Sequence, residues 1–194
     1  MKLGIYGGTF NPVHMGHLIN AEIIRNDFTL DKILFVPSKH PVHKELSYRT
    51  SAEDRYEMLK LSIDGMDGLE ISRIELDSVG DSYTIYTVEK LLESFPLDSI
   101  HLIIGMDSFN EIRTWREYEK LLKKVYIIVM NRPGFERDQH VLPEGSYRIE
   151  FADNPMIGIS SSLIRERVRS GKSIRFMTPA PVVKYIKDKG LYSN

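Results

Sequence analysis

The chain has 194 residues, with 26 lysines and arginines against 27 aspartates and glutamates, and it contains no cysteine. A chain of this length buries roughly 70% of its unfolded surface, so its core needs no covalent staples. The lack of cysteine excludes disulfides and thiolate chemistry, and the balanced charge argues against a binding surface for duplex nucleic acid. Neither a signal peptide pattern nor an apolar run near the ~20 residues of a membrane helix is present. We therefore expect a cytoplasmic protein that neither binds nucleic acid nor enters a membrane.

Apolar runs rich in isoleucine and valine alternate along the chain with segments of helical period. The runs predict strands at residues 2–6, 32–38, 69–76, 99–105 and 125–131. Their continuous apolar character is typical of strands buried on both faces. The segments between them predict helices at residues 17–28, 51–63, 86–95 and 116–124. The alternation predicts an α/β fold built on a Rossmann-like, doubly wound parallel sheet.

The last third of the chain follows a looser pattern. Residues 147–151 predict a final strand, and residues 159–171 and 179–190 predict two helices that stop at Gly171 and Gly190. We expect these helices to form a small C-terminal appendage of the same domain, so that residues 1–194 make one domain. Ligands of open α/β sheets sit beyond the carboxyl ends of the strands, which directs attention to residues that follow strands.

The first predicted strand is followed at once by GGTFNPVHMGHL, residues 7–18. Gly7 and Gly8 let the backbone turn sharply and let an anion approach its N–H groups. His14 and His17 lie three apart at a helix start and face the same way, and Gly16 between them leaves the helix N-terminus open. The two imidazoles could donate to phosphate oxygens, cap the helix or bind a metal, and their spacing alone does not decide among these roles.

Two segments resemble signatures of the HxGH nucleotidyltransferase superfamily. Members of this superfamily join a nucleoside triphosphate to a phosphorylated acceptor and release pyrophosphate. GGTFNPVHMGH resembles the HxGH motif, and GISSSLIR, residues 158–165, is similar to the ISSTxIR signature whose serines and arginine bind the triphosphate. Serine hydroxyls, free N–H groups of a helix start and a guanidinium together suit an anion. Such transfers depend mainly on positioning and electrostatics rather than on a covalent intermediate.

Further segments resemble the nicotinate mononucleotide adenylyltransferases within that superfamily. PVHK at 41–44 resembles their basic loop, SYTIYT at 82–87 their SYTxxT segment, GMD at 105–107 and Trp115 their GxD turn and downstream tryptophan, and GLY at 190–192 their usual tail. The resemblance thus extends from residue 1 to residue 192. Tyr86 stands where we expect an aspartate, which leaves open what this position contributes to packing or to the acceptor pocket.

The resemblance implies that ATP and nicotinate mononucleotide are joined to give nicotinate adenine dinucleotide and pyrophosphate, a step in NAD biosynthesis. It implies these catalytic residues: His14, His17, Lys44 and Arg165. It adds these ATP-binding residues: Gly7, Gly8, Thr9, Phe10, Gly105, Asp107, Ile159, Ser160 and Ser161. It implies these acceptor-binding residues: Gly8, Thr9, Lys44, Thr84 and Trp115, whose indole stacks on the pyridine ring. Mg²⁺ is expected to arrive bound to ATP, and no protein metal ligand is predicted, because the chain has few clustered carboxylates.

Other interpretations remain open at this point. Pantetheine-phosphate adenylyltransferase shares the glycine turn and the serine motif, but His14, the SYT segment and Trp115 favour the nicotinate enzymes. A cytidylyltransferase leaves the middle of the chain unexplained. Outside this class, His14, His17, His40 and His43 could bind a metal, although Pro41 within the second pair indicates a loop rather than a rigid helix face. A homo-oligomer is compatible with the sequence.

Overall fold

The computed structural model describes residues 1–39, 50–80, 82–94, 99–138, 140–142 and 147–193. The strands are β1 (Lys2–Gly8), β2 (Lys32–Pro37), β3 (Leu69–Ile71), β4 (Ser99–Gly105), β5 (Tyr126–Met130) and β6 (Ile149–Phe151). The helices are α1 (Met15–Asp27), α2 (Ala52–Ile63), α3 (Thr84–Ser94), α4 (Met106–Asn110), α5 (Tyr118–Lys124), α6 (Ser161–Arg169) and α7 (Ala180–Asp188). A 3₁₀ turn, Ile112–Thr114, lies between α4 and α5.

The strands form one parallel sheet in the order β3-β2-β1-β4-β5-β6. The chain builds outward from β1 in one direction through β3, then returns to the other side of β1 and builds outward from β4. Tyr6 of β1 pairs with Ile103 of β4, so the carboxyl ends of these two strands lie side by side where the order reverses. A crevice at such a reversal is where doubly wound folds bind their ligands.

Apolar layers cover both faces of the sheet. One layer contains buried residues of α1, α2, α6 and α7, including Ile24, Met58, Ile164 and Ile186. The other contains buried residues of α3, α4 and α5. The predicted α/β, doubly wound fold is therefore confirmed, and the C-terminal helices lie within one of its two core layers.

Both C-terminal helices end where the glycines predict. Gly171 and Gly190 have φ angles of 63° and 59°, a left-handed conformation that costs glycine little. Beyond each glycine the chain closes back on its helix: the Lys172 N–H donates to Arg167 O at 2.8 Å, and the Leu191 N–H to Ile186 O at 2.9 Å. These are the closing bonds of Schellman motifs.

The third strand is shorter than its apolar pattern indicates. It ends at Ile71, whereas the sequence predicts strand through residue 76. The Ile74 N–H donates to Ser72 Oγ at 3.1 Å, a local side-chain acceptor that competes with a strand ladder. Among the residues that the structure describes, none of the helices is long and apolar enough to cross a membrane.

Candidate active site

A tight turn joins β1 to α1, and Phe10 shapes it. Phe10 has a φ of 47°, and its ring is only 2% exposed. A Cβ on Gly8 would lie 3.0 Å from Phe10 Cζ, so glycine is needed where the chain passes over the ring. Because Phe10 as a whole is buried and its ring belongs to the core, its contact with ATP stays a prediction.

Side chains from distant parts of the chain pair with four carbonyl oxygens of this turn. The pairs, donor first, are Arg55 Nη1 with Thr9 O (2.7 Å), Arg165 Nη1 with Asn11 O (2.8 Å), Ser161 Oγ with Pro12 O (2.7 Å) and Thr178 Oγ1 with Val13 O (2.8 Å). With these oxygens engaged, the turn presents fewer free lone pairs to repel a phosphate. The two sequence motifs that resemble triphosphate sites are thereby joined in one structure.

The two histidines stack at the start of α1. His14 is the N-cap residue, and its ring centroid lies 3.6 Å from that of His17. The His14 backbone N–H donates to His17 Nδ1 at 3.1 Å, so a neutral His17 carries its hydrogen on Nε2. A Cβ on Gly16 would lie 3.1 Å from His14 Nδ1, which explains the small residue between them. Capping and ligand binding are thus compatible, because each uses a different nitrogen of His17.

Both imidazoles are neutral at pH 7 in the ligand-free protein. Burial, aided by the guanidinium of Arg132, lowers the pKa of His14 from 6.5 to about 4. Burial also lowers the pKa of His17 well below its usual range, with His14 and Arg132 acting in the same direction. The pair therefore offers N–H donors rather than fixed charges. A polyphosphate placed beside them would raise both pKa values.

The carboxyl ends of β4 and β5 add an ion pair beside the histidines. A Cβ on Gly105 would lie 2.6 Å from Asp107 Oδ1, so only glycine leaves room for this carboxylate. Arg132, two residues beyond β5, forms an ion pair with Asp107 Oδ2. Arg132 was not selected from the sequence, although its position just past a strand end is the signal that selected Gly105 and Asp107.

The start of α6 uses its serines locally as well as across the site. Ser160 is the N-cap, and its Oγ accepts from the Leu163 N–H at 3.1 Å. Arg165 Nη2 donates to Ser162 Oγ at 3.1 Å, in addition to the bond from its Nη1 to the turn. Ile159, just before the cap, packs against the core. The structure therefore brings the predicted serines and arginine to the glycine-histidine turn, while their contact with a triphosphate stays a prediction.

Of the predicted acceptor residues, Gly8 and Thr9 lie where β1 ends and the turn begins, whereas Thr84 and Trp115 lie around α3 and the segment after α4. Thr84 begins α3 and is half-buried, and Trp115 is also half-buried, packed against the core layer of α3. Tyr86 Oη accepts from Arg116 Nε at 2.9 Å, and the same guanidinium lies 5.2 Å from the Tyr83 ring centroid. Tyr86 thus connects α3 to the residue that follows Trp115. Lys44 lies outside the described residues.

A family model described as cytidylyltransferase-like matches residues 5–167. Over 197 residues the chain is 41% identical to a protein of Desulfitobacterium hafniense (strain Y51), covering 98% of this chain and 95% of that one. It is 40% identical to a protein of Desulfatibacillum aliphaticivorans, covering 99% of this chain and 100% of that one. Both relatives carry the name probable nicotinate-nucleotide adenylyltransferase. This chain belongs to the nicotinate-nucleotide adenylyltransferase family.

The fold agrees with that of a solved structure. The nicotinic acid mononucleotide adenylyltransferase of Plasmodium falciparum, complexed with NaAD, superposes with a TM-score of 0.83 at 22% identity. The match covers 98% of this chain and 97% of that one. This likeness shows the fold, and the full-length relatives confirm the family recognised from the sequence motifs.

Two residues that sequence reasoning missed hold the site of this nicotinate-nucleotide adenylyltransferase family member together. Arg55 of α2 is fully buried and donates to carbonyls beyond β1 and β2. Tyr192 donates to the Asn11 side chain from near the end of the chain. The helical spacing does mark Arg55, because it lies three, four and eight residues before Met58, Leu59 and Ile63 on the buried face of α2, where a charged residue is unusual.

His14 and His17 of this family member are the described half of the four-histidine metal hypothesis. Within the described ranges, no group of three histidine, cysteine, aspartate or glutamate side chains could hold a metal. His17 Nδ1 already accepts a backbone N–H. His40 and His43, the other half of the four-histidine hypothesis, lie outside the residues that the structure describes.

Proposed function

We propose that this chain transfers the adenylyl group of ATP to nicotinate mononucleotide, giving nicotinate adenine dinucleotide and pyrophosphate. The observation that carries the proposal is the joining of the two phosphate-type motifs. Ser161 and Arg165 donate to carbonyls of the turn that precedes His14, at the reversal of the strand order. Full-length similarity to relatives named for this activity supports the choice of substrates.

In this reaction a phosphate oxygen of the acceptor attacks the α-phosphorus of ATP, and pyrophosphate leaves. The chain's task is to orient both phosphates and to stabilise the charge that develops on the transferred group. The backbone N–H groups of Gly8, Thr9 and Phe10 and the imidazoles of His14 and His17 supply neutral donors. Neutral donors stabilise new negative charge without first repelling Mg²⁺, which enters bound to the triphosphate as part of the substrate and screens its charge.

The remaining phosphate contacts come from α6 and the basic loop. We assign the β- and γ-phosphates to Ser160, Ser161, Arg165 and the N–H groups at the start of α6, because a helix start favours anions. Gly105 and Asp107 are placed at the ATP ribose or adenine, with Ile159 lining the nucleotide. Lys44 is assigned to a phosphate, as the resemblance implies.

The acceptor's pyridine ring is assigned to the region between α3 and Trp115. Trp115 is half-buried beyond the carboxyl end of β4, and Thr84 opens the neighbouring helix. An indole face suits an electron-poor ring, and backbone N–H groups near Thr84 and Trp115 would receive the carboxylate. We also infer that residues 1–194 act as a single domain, since α6 and α7 share a core layer with α1 and α2.

One assay tests the proposal directly. The purified protein is incubated with ATP, Mg²⁺ and one acceptor at a time: nicotinate mononucleotide, nicotinamide mononucleotide or phosphopantetheine. Pyrophosphate release and the dinucleotide product are measured together. We expect turnover with nicotinate mononucleotide to exceed that with the other two acceptors. Faster turnover with phosphopantetheine, or no dinucleotide from either pyridine acceptor, would overturn the assignment.

A further inference from the structure

Tyr192, four residues beyond α7, contacts the catalytic turn with its side chain. Tyr192 is 4% exposed, and its hydroxyl donates to Asn11 Oδ1 at 2.7 Å across 181 residues of sequence. Burial raises the pKa of Tyr192 above its usual value, so the hydroxyl keeps its hydrogen at any working pH. Tyr192 has a φ of 64°, a conformation that a bulky residue adopts only when its surroundings hold it there.

Asn11 is held at both its backbone and its side chain. It is 4% exposed and lies in the turn between Phe10 and Pro12. Its backbone oxygen accepts from Arg165, and its Oδ1 accepts from Tyr192. Among the described residues, none accepts a hydrogen bond from its Nδ2, the other polar atom of the amide. A buried amide that is fixed at its oxygen offers its nitrogen as a donor of defined direction.

We propose that Tyr192 is a positioning residue that sets the amide of Asn11 so that Nδ2 donates to the transferred phosphate. The proposal rests on the proposed function. Asn11 shares its turn with the backbone donors of Thr9 and Phe10 and lies three residues before His14. A neutral donor fits this site because the nearby imidazoles are also neutral. Tyr192 prevents the amide from rotating and presenting its oxygen, which would repel the phosphate.

The test compares Tyr192→Phe with Tyr185→Phe, a matched control on α7. The Tyr185 hydroxyl donates to Asp54 Oδ1 at 3.0 Å and, within the described part of the chain, forms no hydrogen bond with the turn. For each variant, kcat and both KM values are measured by pyrophosphate release, and stability by urea unfolding. We expect Tyr192→Phe to lower kcat about 10- to 100-fold with smaller changes in KM, because one transition-state donor is misaligned. Tyr185→Phe should leave kcat within about twofold of the parent.

The Asn11→Ala variant shows whether Tyr192 acts through Asn11. We expect it to lower kcat by about 10²- to 10³-fold, and adding Tyr192→Phe to it should change kcat no further. The proposal would be overturned if the double variant lost kcat by the product of the two single effects. It would also be overturned if Tyr192→Phe and Tyr185→Phe lowered kcat equally. A normal kcat for Tyr192→Phe would also overturn it.

A binding readout separates this proposal from the proposed function. In protein labelled with ¹⁵N at asparagine, α,β-methylene-ATP with Mg²⁺ should shift the Asn11 side-chain N–H₂ signals, assigned from the Asn11→Ala spectrum. Tyr192→Phe should reduce that shift. If the parent released no pyrophosphate yet these signals moved, the function would fail and the positioning role would stand. Unmoved signals at saturating nucleotide, in a parent that turns over, would overturn the positioning role alone.

Discussion

Arg55 places a guanidinium wholly inside the protein, where it joins the carboxyl ends of two strands. Its Nη1 donates to Thr9 O at 2.7 Å, and its Nη2 donates to Ser38 O at 2.6 Å and to Lys39 O at 3.3 Å. Thr9 follows β1 and Ser38 follows β2, so one side chain fixes the glycine-histidine turn relative to the neighbouring strand end. We predict that Arg55→Lys lowers both the free energy of unfolding and kcat.

The size of the effect follows from the number of bonds lost. A lysine ammonium cannot span the carbonyls as the planar guanidinium does, so at least two of the three bonds are broken. Hydrogen bonds from a charged donor contribute about 1.5–3 kcal/mol each, so losing two of them gives an expected loss of about 3–6 kcal/mol. The variant stays folded at 25 °C where the parent's free energy of unfolding, ordinarily about 5–15 kcal/mol, exceeds this loss, so the parent's value is measured first. Displacing the turn by about 1 Å should lower kcat up to 100-fold.

Ser62→Ala is the matched control for Arg55→Lys. Ser62 is a buried polar residue of the same helix, and its Oγ donates to Leu59 O at 2.6 Å, away from both strand ends. Loss of this hydrogen bond in Ser62→Ala should lower the free energy of unfolding by about 1 kcal/mol and leave kcat unchanged. Unfolding is followed by circular dichroism in urea, and kcat by pyrophosphate release at 25 °C with saturating substrates. A folded Arg55→Lys variant whose kcat stayed within twofold of the parent would refute the reasoning.

Three further predictions concern the remaining site residues. His17→Ala should stay folded and lose about 10²- to 10³-fold in kcat, as expected for a donor to developing charge, and near-normal pyrophosphate release would contradict this role. Nicotinate mononucleotide should quench the fluorescence of Trp115, and Trp115→Ala should raise the acceptor KM about 5- to 150-fold with little change in the ATP KM. An equal rise in the KM values of both substrates would indicate that Trp115 has a purely structural role. Because the pKa of His14 is lowered to about 4 from 6.5, the unfolded chain takes up a proton first as the pH falls below 6.5. The free energy of unfolding should therefore fall by up to about 3 kcal/mol between pH 6.5 and pH 4. In urea titrations, the His14→Gln variant should show a smaller fall over this pH range. Identical pH profiles for parent and variant would refute the assignment.

The sequence alone determined the local features of this protein. Continuous apolar runs predicted β1, β2, β4 and β5 to within two residues at each end, because a strand buried on both faces leaves a signal in consecutive residues. Gly171 and Gly190 marked helix ends, because caps depend on a few neighbouring atoms. The glycine-histidine turn was recognisable for the same reason.

Only the tertiary structure decided which donors meet the turn. Ser161 and Arg165 lie 149 and 154 residues from the carbonyls that they contact, and Tyr192 lies 181 residues from Asn11. Helical spacing places Arg55 on the buried face of α2, but it does not say that the guanidinium meets carbonyls beyond β1 and β2. Sequence periodicity reports which face of an element is covered, averaged over several turns. It carries no information on which distant carbonyl a buried polar group pairs with, since that pairing depends on how the helices pack against the sheet.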